Sequence, residues 1–144
     1  MISTRGRYAL RVMVDLAEHC TGTNYVPMKA VAERQELSLK YLERILPSLT
    51  SAGYIEGIQG KGGGYRLTRK PSEYTAFDII QASEISISAV ACLAPGAEDC
   101  PRSGFCKTLP LWTNLDELTK RYLKSITLED LAAERDLTLP DLPF

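Results

Sequence analysis

Three cysteines, Cys92, Cys100 and Cys106, fall within fifteen residues, separated by seven and five residues, while the fourth, Cys20, stands far away. Three thiolates on one flexible segment can converge on a single metal centre, and soft sulfur donors suit zinc or an iron–sulfur cluster. Zinc sites more often pair two cysteines two residues apart in a tight knuckle, and no such pair occurs here. The spacing leaves three readings open: a cluster, a zinc site, or thiols that are redox-active or inert. Disulfide stapling is disfavoured, because the start MISTRGRYAL has no apolar export segment or cleavage site and the apolar complement is full.

Catalytic chemistry finds less support. His19 is the only histidine; near the end of a helix it reads as a capping residue, and Cys20 as a small buried or capping-region thiol. Neither forms a nucleophile and base pair with a neighbour in sequence, so a hydrolase or thiol enzyme lacks a general base and the chain is not expected to be an enzyme. The run Gly60-Lys61-Gly62-Gly63-Gly64 is not a phosphate cradle, since neither a Lys-Ser/Thr pair nor a helix follows it.

Charge points elsewhere. The net charge of −1 hides a division: residues 1–70 hold 11 Lys and Arg against 6 Asp and Glu, and residues 71–144 hold 6 against 12. A basic first half is expected to meet a polyanion, against the plainer reading of a solvated face. No stretch approaches the roughly 18 consecutive apolar residues of a membrane span, and the expected location is the cytoplasm.

The elements that must position these residues follow from periodicity. The 144 residues suit one folding unit. Ser3 or Thr4 caps a first helix with Ala9, Val12, Met13, Leu16 and Ala17 on one face. A second, short helix follows Pro27 and stops near Gln35-Glu36-Leu37. Ser38 opens a third, whose stripe Leu42, Ile45, Leu46 and Leu49 leaves Lys40, Tyr41, Arg44 and Ser48 opposite. Two short helices about a tight turn, the second with a cationic outer face, are helix-turn-helix organisation. Pro47 predicts a kink or an early end to the third helix.

Tyr54–Ile58 and Tyr65–Thr68 flank the glycine run as a hairpin, the wing. Thr75 caps a fourth helix through Phe77, Ile79, Ile80 and Ala82. Ala91 to Cys106 reads as an irregular loop. A long helix starts at Pro110 and carries Leu111, Trp112, Leu115, Leu118 and Tyr122, with Asp116–Lys120 and Glu117–Arg121 as i,i+4 pairs. Its apolar side predicts a partner subunit as cover. Thr127 caps a last short helix, and Pro140 and Pro143 mark a loose tail.

The blocks STRGRYAL, SLKYLERILPSLTSAGYI, GKGGGY and TAFDII, the three cysteines followed by CKTLPLW, and SITLEDL resemble, in order and spacing, the IscR/NsrR/CymR family of bacterial regulators. The resemblance runs from Ile2 to about Leu131. It implies a mainly α fold with a small β hairpin: a winged helix-turn-helix DNA-binding domain over residues 1–72, then the cysteine loop and dimerisation helix over 73–144. It also implies a homodimer on a pseudo-palindromic double-stranded DNA operator, with each cysteine loop beside the partner's DNA-binding unit.

Carried over by position, the DNA-reading residues are Ser38, Lys40, Tyr41, Glu43 and Arg44 on the recognition helix, and Gln59, Gly60, Lys61 and Gly62 in the wing. The chemistry agrees: Lys and Arg neutralise phosphates, Arg44 can read guanine bidentately, Glu43 can accept from cytosine, and glycines allow close backbone approach. Tyr41 has a second reading, as an amphipathic residue shielding the helix stem. Gln59 stands where the family often has arginine.

The resemblance also implies an iron–sulfur cluster on Cys92, Cys100 and Cys106, [2Fe-2S] favoured over [4Fe-4S]. Two departures bear on it: Leu109 stands where cluster-binding members place a histidine, and Arg7 and Tyr8 occupy the region of a helix carboxylate used by some relatives. Asp99, Glu98, Cys20, or an external thiol or water are the candidates for a fourth ligand. The function expected is a cluster-sensing transcription regulator, a repressor of iron–sulfur, redox or sulfur metabolism genes. Its rivals are a CymR-like cysteine-metabolism repressor governed by thiol state or a partner enzyme, and a zinc-stapled interaction module.

Overall fold

The computed structural model describes residues 1–139, and Pro140 and Pro143, read above as a loose tail, lie outside the described residues. Six helices and one hairpin follow in order: α1 (Thr4–His19), α2 (Met28–Gln35), α3 (Leu39–Ser51), β1 (Ile55–Ile58), β2 (Gly64–Leu67), α4 (Ala76–Ser83), α5 (Leu109–Ser125) and α6 (Leu128–Ala132). This is the mainly helical winged helix-turn-helix that the periodicity predicts.

The core forms around α1. Ala9, Val12, Met13 and Leu16 are fully buried there, against Val31 of α2 and Leu42, Ile45 and Leu49 of α3. Ile79 of α4, Leu128 of α6 and Tyr74 join the same cluster. Burial of this kind stabilises by about 1.5 to 3 kcal/mol for each large apolar side chain. Ser3, Ser38, Thr75 and Thr127 each accept at least one backbone N–H with the side chain, so the predicted caps form.

A charged group is also fully buried against this core. The Asp15 carboxylate, 0% exposed, accepts from Arg34 Nε and Nη2 at 3.0 and 2.7 Å and from Gln35 Nε2 at 2.9 Å. It locks α1 to the end of α2. Glu36 then adopts a left-handed conformation (φ 54°) and, with Leu37 and Ser38, makes the turn into α3.

Pro47 does not end α3 early: the helix continues to Ser51. The proline is exposed, so its missing donor falls on the solvent side, and the Ser48 and Thr50 hydroxyls donate to the Ile45 and Leu46 carbonyls nearby. In the wing, Ile55 pairs with Leu67 and Ile58 with Gly64. Val26 and Tyr65 exchange backbone hydrogen bonds of 2.8 and 2.9 Å beside it. That approach demands glycine at 64, where φ is +148° and a Cβ would lie 2.1 Å from the Val26 carbonyl oxygen.

On α5 only Asp116 is buried. It accepts from Lys120 at 2.6 Å, whereas Glu117 and Arg121, both exposed, form no ion pair among the described residues. Solvated charges gain little from such a pair and lose side-chain freedom in making it. Leu111 and Leu115 on the same helix remain 59% and 44% exposed.

Candidate functional site

The outer face of α3 is built as its periodicity requires. With Leu42, Ile45, Leu46 and Leu49 buried, Lys40, Glu43 and Arg44 are exposed together. Ser38 accepts from the Tyr41 amide at 3.1 Å and so is at least the cap. Tyr41 is half-buried, its ring edge-on to Tyr8 of α1 with centroids 5.3 Å apart. The helix-shielding role is therefore met, with part of the ring still open to solvent.

Sequence reading missed what α1 adds to this face. Arg5 donates to the Arg44 carbonyl at 3.1 Å, and Arg11 stacks on Tyr8 at 5.1 Å and bonds the Gln35 side chain and carbonyl. The signal was partial: Arg7 and Arg11 lie off the apolar stripe of α1, whereas Arg5, four residues before Ala9, falls on its line and is exposed because the helix begins there. The result is a cationic surface shared by two helices, suited to phosphates.

Gln59, Gly60, Lys61 and Gly62 form the exposed tip of the hairpin, and Gly60 and Gly62 take positive φ of 94° and 76°. The base of the wing is held from inside. The Tyr74 hydroxyl, on a fully buried ring, donates to the Tyr54 carbonyl at 2.7 Å and accepts from the Thr68 and Arg69 amides at 3.1 and 3.0 Å.

The three clustered cysteines occupy a second region. Cys92, Cys100 and Cys106 line one cavity of about 410 Å³, together with Glu98, Asp99 and Leu109. All are free thiols. Cys106 precedes α5, and the Thr108 hydroxyl, 3.4 Å from its sulfur, with the Thr108 amide draws its thiol below the ordinary range. No group of three His, Cys, Asp or Glu among the described residues is gathered tightly enough to hold a single metal ion. As a donor set, three accessible soft thiols around one cavity fit iron–sulfur chemistry.

Of the proposed fourth ligands, Glu98 and Asp99 share this cavity. Cys20 does not: it lies by the Leu67 backbone of β2, and burial pushes its thiol up. His19 ends α1 with Nδ1 2.9 Å from the Asp15 carbonyl, as a capping residue would.

A profile of the Rrf2 family, described as iron-dependent transcriptional regulators, matches residues 2–134. Among curated proteins the chain is similar to the HTH-type transcriptional regulator IscR of Aliivibrio salmonicida, 35% identical over 136 residues, covering 94% of this chain and 79% of the relative. Two solved structures are also similar. CymR, the global cysteine regulator of B. subtilis, is 38% identical over 94% of this chain and 98% of its own, with a TM-score of 0.75. IscR of T. potens is 34% identical over 93% and 87%, with a TM-score of 0.74.

Proposed function

The chain belongs to the Rrf2 family of transcriptional regulators, and from that premise we propose that it is a cytoplasmic, homodimeric repressor whose grip on a pseudo-palindromic operator is set by an iron–sulfur cluster. The observation that carries this reading is the single cavity lined by Cys92, Cys100 and Cys106. These three thiolates would hold the cluster, [2Fe-2S] by preference. When bound, the cluster supplies a group sensitive to oxidation and iron supply.

The chain's own residues do the rest. Residues 1–72 read DNA: Lys40 and Arg44 meet phosphate or base edges, Glu43 selects among bases, and Gln59 to Gly62 approach the backbone of the duplex. Residues 73–144 sense and pair, the exposed Leu111 and Leu115 of α5 meeting their counterparts.

A second reading is favoured by two observations: the likeness to B. subtilis CymR and Leu109, an apolar wall in the cavity rather than a ligand. Here the thiols themselves, or a partner enzyme, carry the signal. Iron and sulfide analysis of anaerobically purified protein decides between them. The cluster reading expects coloured protein, with iron sharply lowered by Ala at Cys92, Cys100 or Cys106 and unchanged by Cys20→Ala. Colourless, iron-free protein with full DNA binding supports the second.

A further inference from the structure

We propose that Glu84 is a positioning residue, a latch by which the segment leading into the cysteine loop holds α1, and through Arg5 the recognition helix, within one subunit. This rests on the reading of α3 as the DNA-recognition helix. Glu84 ends α4, its amide donating to the Ile80 carbonyl at 3.0 Å. Its side chain turns onto the start of α1, where Oε1 accepts from the Ser3 amide at 2.7 Å, the Ser3 hydroxyl at 2.6 Å and the Gly6 amide at 3.1 Å. A carboxylate here satisfies helix amides that lack partners and meets the positive end of the helix dipole.

Gly6 corroborates the latch. It is buried in a regular helix, and no special backbone angle calls for glycine. A Cβ at this position would lie 2.3 Å from Glu84 Oε1. Glycine, a poor helix former, makes room for the carboxylate.

Contacts continue on both sides. Toward the cysteines, Ser88 Oγ donates to the Leu93 carbonyl at 3.1 Å, next to Cys92, and the Ala89 amide donates to Asp116 of α5 at 3.0 Å. Ile85, between latch and loop, is fully exposed, and the chain is next held at the buried Ile87 and Ser88, where the Ser88 carbonyl accepts from the Met1 amino group at 3.3 Å, a second link to the start of the chain ahead of α1. Toward the DNA face, Arg5, one residue before Gly6, holds the Arg44 carbonyl at 3.1 Å. A rearrangement of the cysteine loop thus pulls on Glu84, and release of Glu84 frees the end of α1 that braces Arg44. Coupling of this kind needs an element that can be made or broken, and solvent-accessible hydrogen bonds to one carboxylate are such an element.

The test uses the full chain and two variants that break the latch by different means: Glu84→Gln, which removes the charge, and Gly6→Ala, which excludes the carboxylate sterically while improving the helix. The probe is a duplex enriched from a random-sequence pool by the wild-type protein. Both variants should bind it at least about fivefold more weakly, the lower end of ordinary allosteric couplings, without a matching fall in melting temperature. Independently of DNA, amide exchange should quicken at the start of α1 and at residues 44–46 and 48 in both variants, and adding Arg5→Ala should quicken it in α3 no further, while α6 is unchanged. Unchanged exchange in α3, or effects of Arg5→Ala and Glu84→Gln on that exchange that add, would overturn the latch. A pool that enriches no duplex would sink the DNA-reading function, and the exchange measurement would still judge the latch.

Discussion

Asp15 and Arg34 form a bidentate ion pair in which the carboxylate is 0% exposed and the guanidinium side chain remains 35% exposed. This pair fixes α1, which carries the core, to α2, which leads into the turn before α3. Burial raises the Asp15 pKa, but the hydrogen bonds from Arg34 and Gln35 and the Arg34 charge outweigh it, leaving the carboxyl below its ordinary value.

The first prediction follows from that sign. A carboxyl depressed in the folded state contributes stability above its unfolded pKa of about 3.9, and loses it as pH falls through the folded value. Asp15→Asn should cost about 1 to 3 kcal/mol at pH 7, since it leaves the guanidinium fork without its charge partner while the partly exposed Arg34 keeps some of its hydration. Urea unfolding of both proteins from pH 7 to below pH 4 checks this: the gap between them should shrink as the acid limit is approached, and a constant gap would contradict it.

Tyr74 offers a second. Tyr74→Phe keeps the ring packed edge-on against Tyr54, at 5.6 Å between centroids, but strips the partner from the Tyr54 carbonyl and the Thr68 and Arg69 amides. Stability should fall by about 1 to 3 kcal/mol, the usual cost of buried polar groups left unsatisfied. Amide exchange at residues 68 and 69 should rise with it. Unchanged exchange there would show that the hydroxyl does not hold the wing.

On α3, read as the recognition helix under the proposed function, Arg44→Ala should weaken operator binding by about 1 to 3 kcal/mol if the guanidinium reads a base. Glu43→Ala should widen the range of sequences bound rather than abolish binding. Competition titrations against single-base variants of one operator separate the two, and binding by Arg44→Ala equal to wild type on every duplex would remove Arg44 from the interface.

The last concerns pairing. Leu115 is already 44% exposed in the single chain, so Leu115→Asp should leave the fold of one subunit standing and split the dimer, because the charge would be buried without a partner only when two copies meet. Sedimentation should return twice the chain mass for wild type and one chain mass for the variant. A dimeric Leu115→Asp protein would place the interface elsewhere.

The information readable along the chain was local. Helix boundaries, caps and the hairpin were legible because burial repeats every 3.6 residues along α1 and α3, because Ser, Thr and Gly mark ends and turns, and because these signals sit within a few residues of what they control. The three cysteines and the exposed Lys40 and Arg44 were legible for the same reason: residue type and spacing carry their chemistry, whereas Glu43 came from the family resemblance. The remaining features depend on how the helices assemble. Glu84 meets Ser3 across 81 residues, Arg5 meets Arg44 across 39, and Asp15 meets Arg34 across 19; no period in the chain encodes such meetings. Gly6 and Gly64 are required by what approaches them from elsewhere, and Pro47 is tolerated because it faces solvent. Pairing of distant polar groups depends on how apolar faces pack, so it emerges only once the helices are assembled.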